Sequence, residues 1–132
     1  MIAADTNLIV RHLTHDDTVQ TAIVERLFRE AEARGEPILI GQIVLAELSW
    51  ALASVYRFPK AAVANAIRSL LDDAAFIVEG RAMVEEALAH FRRGRAGFAD
   101  YLIGVAAREA GASSTLAFDG KLVRAAGFTL AR

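Results

Sequence analysis

Met1-Ile2-Ala3-Ala4-Asp5-Thr6-Asn7-Leu8-Ile9-Val10 decides how the rest of the chain is read. A short apolar run ends in a single carboxylate, Asp5, and turn-forming Thr6 and Asn7 follow. Ile2 to Ala4 therefore predicts a short buried strand, and Asp5 or Asn7 can cap the helical turn expected over Leu8 to Leu13. A strand that delivers a lone acid into a turn is a place to hold a metal ion.

Three further acids stand in equally apolar surroundings. Glu47 is the only charged residue between Gly41 and Tyr56, Asp100 the only one between Ala96 and Ala107, and Asp119 the only one between Ala110 and Gly120. The remaining acids sit among other charges, as Asp16-Asp17 and Glu85-Glu86 do, and read as solvated faces.

Between these acids the pattern alternates. Asp16 or Asp17 starts a helix reaching about Arg34, with Val19, Ile23, Leu27 and Ala31 recurring every four residues opposite Glu25, Arg26, Arg29 and Glu30. Gly35 stops it, and Pro37 to Ile40 reads as a second strand. Ile43 to Tyr56 predicts a nearly all-apolar helix with Val44, Leu48, Ala51, Leu52 and Val55 inward and Glu47 at the edge of that face. Pro59 suits the start of the next helix. Ala75 to Val78 is a third strand, Ala82 to Phe91 a helix, and Arg92-Arg93-Gly94-Arg95 a basic loop. Phe98-Ala99-Asp100 opens a helix with Leu102, Ile103, Val105 and Ala106 inward, which Gly111 ends. Ser113 to Phe118 is a fourth strand delivering Asp119 into a turn, and Phe128 to Leu130 a last edge strand.

Short apolar strands alternating with amphipathic helices predict an α/β protein, a three-layer α/β/α sandwich around a short-stranded, mainly parallel sheet. Ligands of such folds bind beyond the carboxyl ends of the strands, where Asp5 and Asp119 fall. With short connections, Asp100 and Glu47 reach the same rim. The 132 residues, 55% hydrophobic and 23% charged, fit one globular domain over 1–132. No run approaches the roughly 18 apolar residues of a membrane span, and no signal peptide is evident, so a cytoplasmic protein is expected. The absence of cysteine excludes disulfides, zinc thiolates and cysteine nucleophiles. A net charge of −1 gives no global basic signal, so any polyanion must be met by a local patch or by metal.

Two like charges about 4 Å apart repel by roughly 4 kcal/mol at an effective dielectric near 20. Several such pairs would match the roughly 5–15 kcal/mol stability of a small domain. A cluster of the four acids thus requires protons or a cation among them. Oxygen-only ligands select Mg²⁺ or Mn²⁺, which binds phosphate and can activate a water for phosphodiester hydrolysis. Each acid also fits a structural role: Asp5 and Asp100 as helix caps, Asp119-Gly120 as a turn, Glu47 in an ion pair with an arginine. His12 and His15 read as a polar surface pair, and Trp50, Phe91 and Phe98 as core or interface. Arg92, Arg93 and Arg95 serve equally well as a solvated helix end or as contacts to backbone phosphates.

Met1 to Asn7, Glu47 within an apolar helix, Phe98-Ala99-Asp100 and Phe118-Asp119 together resemble the PIN domain, specifically the VapC-type ribonuclease toxins of bacterial toxin–antitoxin modules. The resemblance covers essentially the whole chain, and is close from Asp5 through Arg11, Leu13, Thr14 and Asp16-Asp17. It implies metal-dependent endonucleolytic cleavage of RNA as the toxin of a type II system, with Asp5, Glu47 and Asp100 as the main metal-site acids. It also implies Asp119 as a fourth acid, Asn7 orienting Asp5, a homodimer, and a cognate antitoxin. One departure is Ala117, where the family usually carries Thr or Ser. Two other classes are compatible with parts of the pattern. A haloacid-dehalogenase-like phosphatase needs a second Asp where Asn7 stands, and a non-catalytic interaction module with a structural metal site would use the apolar helix for docking.

Overall fold

Helices and strands alternate along the chain as the pattern predicts. The computed structural model describes residues 1–125 and 127–132. Its elements are β1 (Ile2–Ala3), α1 (Thr6–Thr14), α2 (Thr18–Ala33), β2 (Ile38–Ile40), α3 (Gln42–Ser54), α4 (Lys60–Asp72), β3 (Phe76–Val78), α5 (Arg81–Arg93), α6 (Phe98–Glu109), β4 (Thr115–Ala117), α7 (Gly120–Val123) and β5 (Phe128–Leu130). The described strand pairs are all parallel, the α/β class expected from the alternation. Two compact units divide the chain, Met1–Arg81 and Ala82–Arg132.

In the first unit the strands lie in the order β1-β2-β3, with Ile2 beside Ile38 and Ile38 beside Phe76. Ile38 and Ile40 of the central strand are fully buried, as expected where helices cover a parallel sheet. Ile9, Val10, Leu45, Leu48, Leu52, Val63, Ile67 and Leu70 supply the surrounding apolar core.

Two expected helix faces are rotated. On α2 the buried residues are Val24, Phe28 and Ala31, while Val19 is 71% and Ile23 44% exposed. The reason is geometric: each four-residue step advances about 40° beyond a full turn. The Val19, Ile23, Leu27, Ala31 series therefore winds from solvent into the core instead of marking one face. On α3 the buried stripe is Leu45, Leu48, Ser49 and Leu52. Ile43, Glu47 and Trp50, spaced i, i+4, i+7, form the opposite, exposed stripe. Ile103 on α6, expected inward, is likewise exposed, because the buried face there runs through Phe98, Tyr101, Leu102 and Val105.

In the second unit β4 and β5 pair in parallel, Thr115 beside Phe128. Phe91 and Phe98 meet edge to face at 6.2 Å between centroids and are core, as expected. Arg108 on α6 makes two 2.7 Å hydrogen bonds to the Glu86 carboxylate on α5. These bonds hold the Glu86 carboxyl below the usual carboxylate range and raise the Arg108 guanidinium. The Phe128 ring lies directly over Gly104, where a Cβ would stand 2.5 Å from Cζ.

Gly104→Ala is therefore expected to destabilise the protein by about 1–3 kcal/mol through overpacking. Thermal unfolding of this variant beside Gly104→Ala/Phe128→Leu, which should recover part of the loss, checks the contact; an unchanged midpoint would rule it out.

Candidate functional site

The first acid is placed by a short strand and a helix start. β1 ends at Ala3, and extended Asp5 becomes the N-cap of α1. Its Oδ1 accepts a 2.6 Å hydrogen bond from the Thr6 backbone N–H. Thr6 then donates its hydroxyl to Glu47 Oε1 at 3.1 Å, a contact spanning 41 residues of sequence. One threonine thus orients two carboxylates, one with its backbone and one with its side chain.

These groups line a cavity of about 620 Å³ together with Asn7, Ala46, Trp50 and Ala51. Glu47 is exposed toward this cavity and makes no ion pair among the described residues. The expectation of an edge-buried acid, and the alternative of an arginine partner, both give way to an open carboxylate on the solvent stripe of α3. Trp50 is 64% exposed beside it instead of contributing to the core. Sequence reading passed over Thr6. Its signal lay in the Asp-Thr pair at a helix start, where a hydroxyl one residue beyond the cap has no helix of its own to satisfy.

The cavity's charged donors are hard oxygens. Asp5 Oδ2 and Glu47 Oε2 carry no hydrogen bond from the described residues, while their companion oxygens are engaged. Such a set fits Mg²⁺ or Mn²⁺ and does not favour a softer ion.

Asp100 and Asp119 belong to the second unit. Asp100 is the third residue of α6; its Oδ2 accepts from the Gly97 N–H at 3.0 Å and fixes the helix start. Asp119 follows β4 and caps α7, accepting from the Lys121 N–H at 2.9 Å. The structural roles read for Asp5, Asp100 and Asp119 are therefore all realised, and each still leaves one carboxylate oxygen without a hydrogen bond from the described residues. Among the described residues no three His, Asp or Glu side chains form a ready-made metal-ligand group.

Beside Asp5, a second cavity of about 370 Å³ is lined by Asn7, Leu8, Arg11, Gln20, Ile23, Val24 and Leu27. Arg11 is anchored there by Gln20 at 2.7 Å and by Asp16 and Tyr56, both at 3.2 Å. The Tyr56 hydroxyl donates to Asp16 at 2.7 Å. That bond, then one from Thr14, holds the Asp16 carboxyl below its usual range, with Arg11 adding to the effect. His12 and His15 form the expected polar pair by sharing Glu25, but His12 is half-buried. It packs edge-on against Phe28 and Phe76 and meets Glu25 at 2.8 Å, while His15 lies exposed. Of the three arginines expected near RNA, Arg93 and Arg95 line a cavity of about 560 Å³ and Arg92 lies outside its lining.

The PIN domain family model matches residues 2–128. The chain belongs to the PIN domain family. It is also 26% identical over 125 residues to a VapC ribonuclease of Aquifex aeolicus (strain VF5), an alignment covering 94% of this chain and 90% of that protein. Among the described residues no helix is long and apolar enough to cross a membrane.

The lowered Asp16 carboxyl has a sign that can be checked. Its contribution to stability is present above the usual carboxylate range, near pH 4, and is lost as the pH falls through the lowered folded value. Tyr56→Phe is expected to move the Asp16 titration upward, read by carboxyl NMR, and to destabilise the protein near neutral pH but not in strong acid. An unmoved titration would show that the tyrosine does not set it.

Proposed function

We propose that this chain is a divalent-metal-dependent endoribonuclease, the toxin of a type II toxin–antitoxin pair, with residues 1–132 forming one nuclease domain. The observation that carries the reading is the Asp5–Thr6–Glu47 arrangement: two carboxylates oriented by one threonine at one cavity, each with an oxygen left to bind a cation. Membership of the PIN domain family and the likeness to a VapC ribonuclease support it. Asp5, Glu47, Asp100 and Asp119 are the proposed metal-site acids, and Asn7, in the same cavity lining, is proposed to help Thr6 orient Asp5.

The reaction adds water across one phosphorus–oxygen ester bond, releasing one RNA end as phosphate ester and the other as hydroxyl. A bound Mg²⁺ or Mn²⁺ supplies charge neutralisation at the phosphate and lowers the pKa of the attacking water. The chain's own contribution is geometry. Thr6 holds the first two acids at a fixed separation, and backbone N–H groups hold Asp100 and Asp119 by one oxygen each. Carboxylates fixed in this way need no reorganisation when the ion and the phosphate arrive.

The same exposed stripe of α3 that presents Glu47 also presents Ile43 and Trp50. This favours a protein partner on that face, either a second copy in a homodimer or the cognate antitoxin, beside the catalytic groups. A cytoplasmic setting follows from such a role.

The test is cleavage of a mixed cellular RNA pool by purified, partner-free protein with Mg²⁺, with Mn²⁺ and with chelator. Asp5→Asn and Asp100→Asn are each expected to lose roughly 100-fold or more, with unfolding transitions like that of the parent. Thr6→Val should lose about 10- to 100-fold, as outer-shell partners of metal ligands do. Undiminished cleavage by either Asn variant would remove the assignment.

A further inference from the structure

The cavity that includes Arg93 and Arg95 is more strongly cationic than the arginine triplet alone suggests. It lies wholly within the second unit and is lined by His90 and Arg93 from the end of α5, Gly94 and Arg95, Tyr101 from α6, and Gly120, Lys121, Arg124 and Ala125 at α7. Four side chains there are guanidinium or ammonium groups, and the lining contains no carboxylate. Among the described residues none of Arg93, Arg95, Lys121 and Arg124 has a side-chain hydrogen bond or an ion pair. The nearby acid Glu86 is already engaged by Arg108 at 2.7 Å, and His90 reaches it at 3.5 Å. In a chain of net charge −1, four unpaired cations around one hollow are a local field with no internal partner.

The floor of this hollow is built to stay open. Tyr101 is buried, and its hydroxyl accepts from the Ala96 N–H at 3.2 Å. A Cβ at residue 94 would collide with that hydroxyl, so only glycine lets the 94–95 bend pass over the tyrosine and turn Arg95 to the cavity. At about 560 Å³ the space lies within the roughly 300–1,000 Å³ of ordinary ligand sites. Tyr101 and Ala125 are its only lining residues with apolar bodies apart from the basic side chains, and no Leu, Ile, Val, Met, Phe or Trp pocket of the kind that anchors a peptide partner is present in the lining. Guanidinium and ammonium groups without carboxylates suit phosphate, which arginine can grip with two parallel hydrogen bonds.

We propose that this basin, formed by Lys121 and Arg124 together with Arg93 and Arg95, binds backbone phosphates of single-stranded RNA next to the phosphate being cleaved. The inference rests on the nuclease reading above in one respect, the placement of the cleaved phosphate. Asp119, one of the proposed metal-site acids, immediately precedes Gly120 of the basin and is hydrogen-bonded to the Lys121 backbone. A strand entering the basin is thereby led to that acid. Lys121 and Arg124, spaced i, i+3, are the positioning residues this adds to the arginines recognised in the sequence.

The experiment measures binding of a fluorescently labelled, mixed-sequence oligoribonucleotide to the full chain in chelator, so that nothing is cut, over a range of salt. Lys121→Gln/Arg124→Gln is expected to weaken binding about 10-fold and to lower the slope of log affinity against log salt by roughly 1.4, about 0.7 for each phosphate no longer neutralised. Arg93→Gln/Arg95→Gln should act similarly. Arg29→Gln/Arg132→Gln, which removes the same charge elsewhere, should leave the slope unchanged. Basin variants that melt like the parent and bind like this control would overturn the proposal and leave an acidic protein partner as the ligand to test. So would a parent protein that fails to bind RNA at low salt. Parallel cleavage assays with metal keep the two readings separate. Loss of cleavage in Asp5→Asn with unaltered basin slopes refutes the basin alone, and persistent cleavage in Asp5→Asn with altered slopes refutes the nuclease assignment alone.

Discussion

Thr6 donates twice, its backbone N–H to Asp5 and its hydroxyl to Glu47, and the candidate site depends on this pair of bonds. Asp5 closes the start of α1, while Glu47 sits on α3, after the next strand of the sheet. A residue bonded to both converts two separately folded positions into one rigid pair. Without it, two mutually repelling carboxylates at one cavity would turn away from each other into solvent. With it, one oxygen of each is fixed and the other carries no hydrogen bond from the described residues.

Helix capping and metal binding draw on the same residue types in a sequence, and a cap leaves room for both. Asp5, Asp100 and Asp119 each spend one oxygen on a backbone N–H at a helix start. A carboxylate has two oxygens and about four acceptor sites, so a cap does not exhaust it. The cap fixes the rotamer and leaves the second oxygen in a known direction. Short strands of two or three residues followed closely by helices make this economical for Asp5 and Asp119, each two residues beyond a strand and at the start of a helix.

Much of this was legible in the sequence. Asp5 and Asp119 were placed by the ends of apolar runs, and β5 over Phe128–Leu130 was read with its bounds. Parallel strands buried by helices show as short apolar stretches, which is why alternation alone gave the α/β class. Helix faces were less legible. The i+4 spacing of Val19, Ile23 and Leu27 imitates a stripe but drifts around the helix, and α3 is so apolar that its composition does not reveal which side faces solvent. Glu47, read as half-buried, is open for that reason. Lys121 and Arg124 carried no pattern of their own, and Thr6 only its place beside Asp5 at a helix start; what folding brings beside them, an acid from α3 in one case and the end of α5 in the other, is not written in their local sequence. Ala117, where a hydroxyl is usual in the family, lies in β4 just before the turn to Asp119, so no hydroxyl at 117 is available to orient that carboxylate, and the Lys121 N–H does so.

The central claim is that the two carboxylates joined through Thr6, Asp5 and Glu47, hold one divalent cation. Paramagnetic Mn²⁺ titrated into isotopically labelled protein tests it most directly, because line broadening falls off steeply with distance from the ion. Substoichiometric Mn²⁺ is expected to broaden amide signals around Asp5, Thr6 and Glu47 first, and to lose that effect in Asp5→Asn. Broadening that leaves these signals sharp, or that persists unchanged in Asp5→Asn, would contradict it.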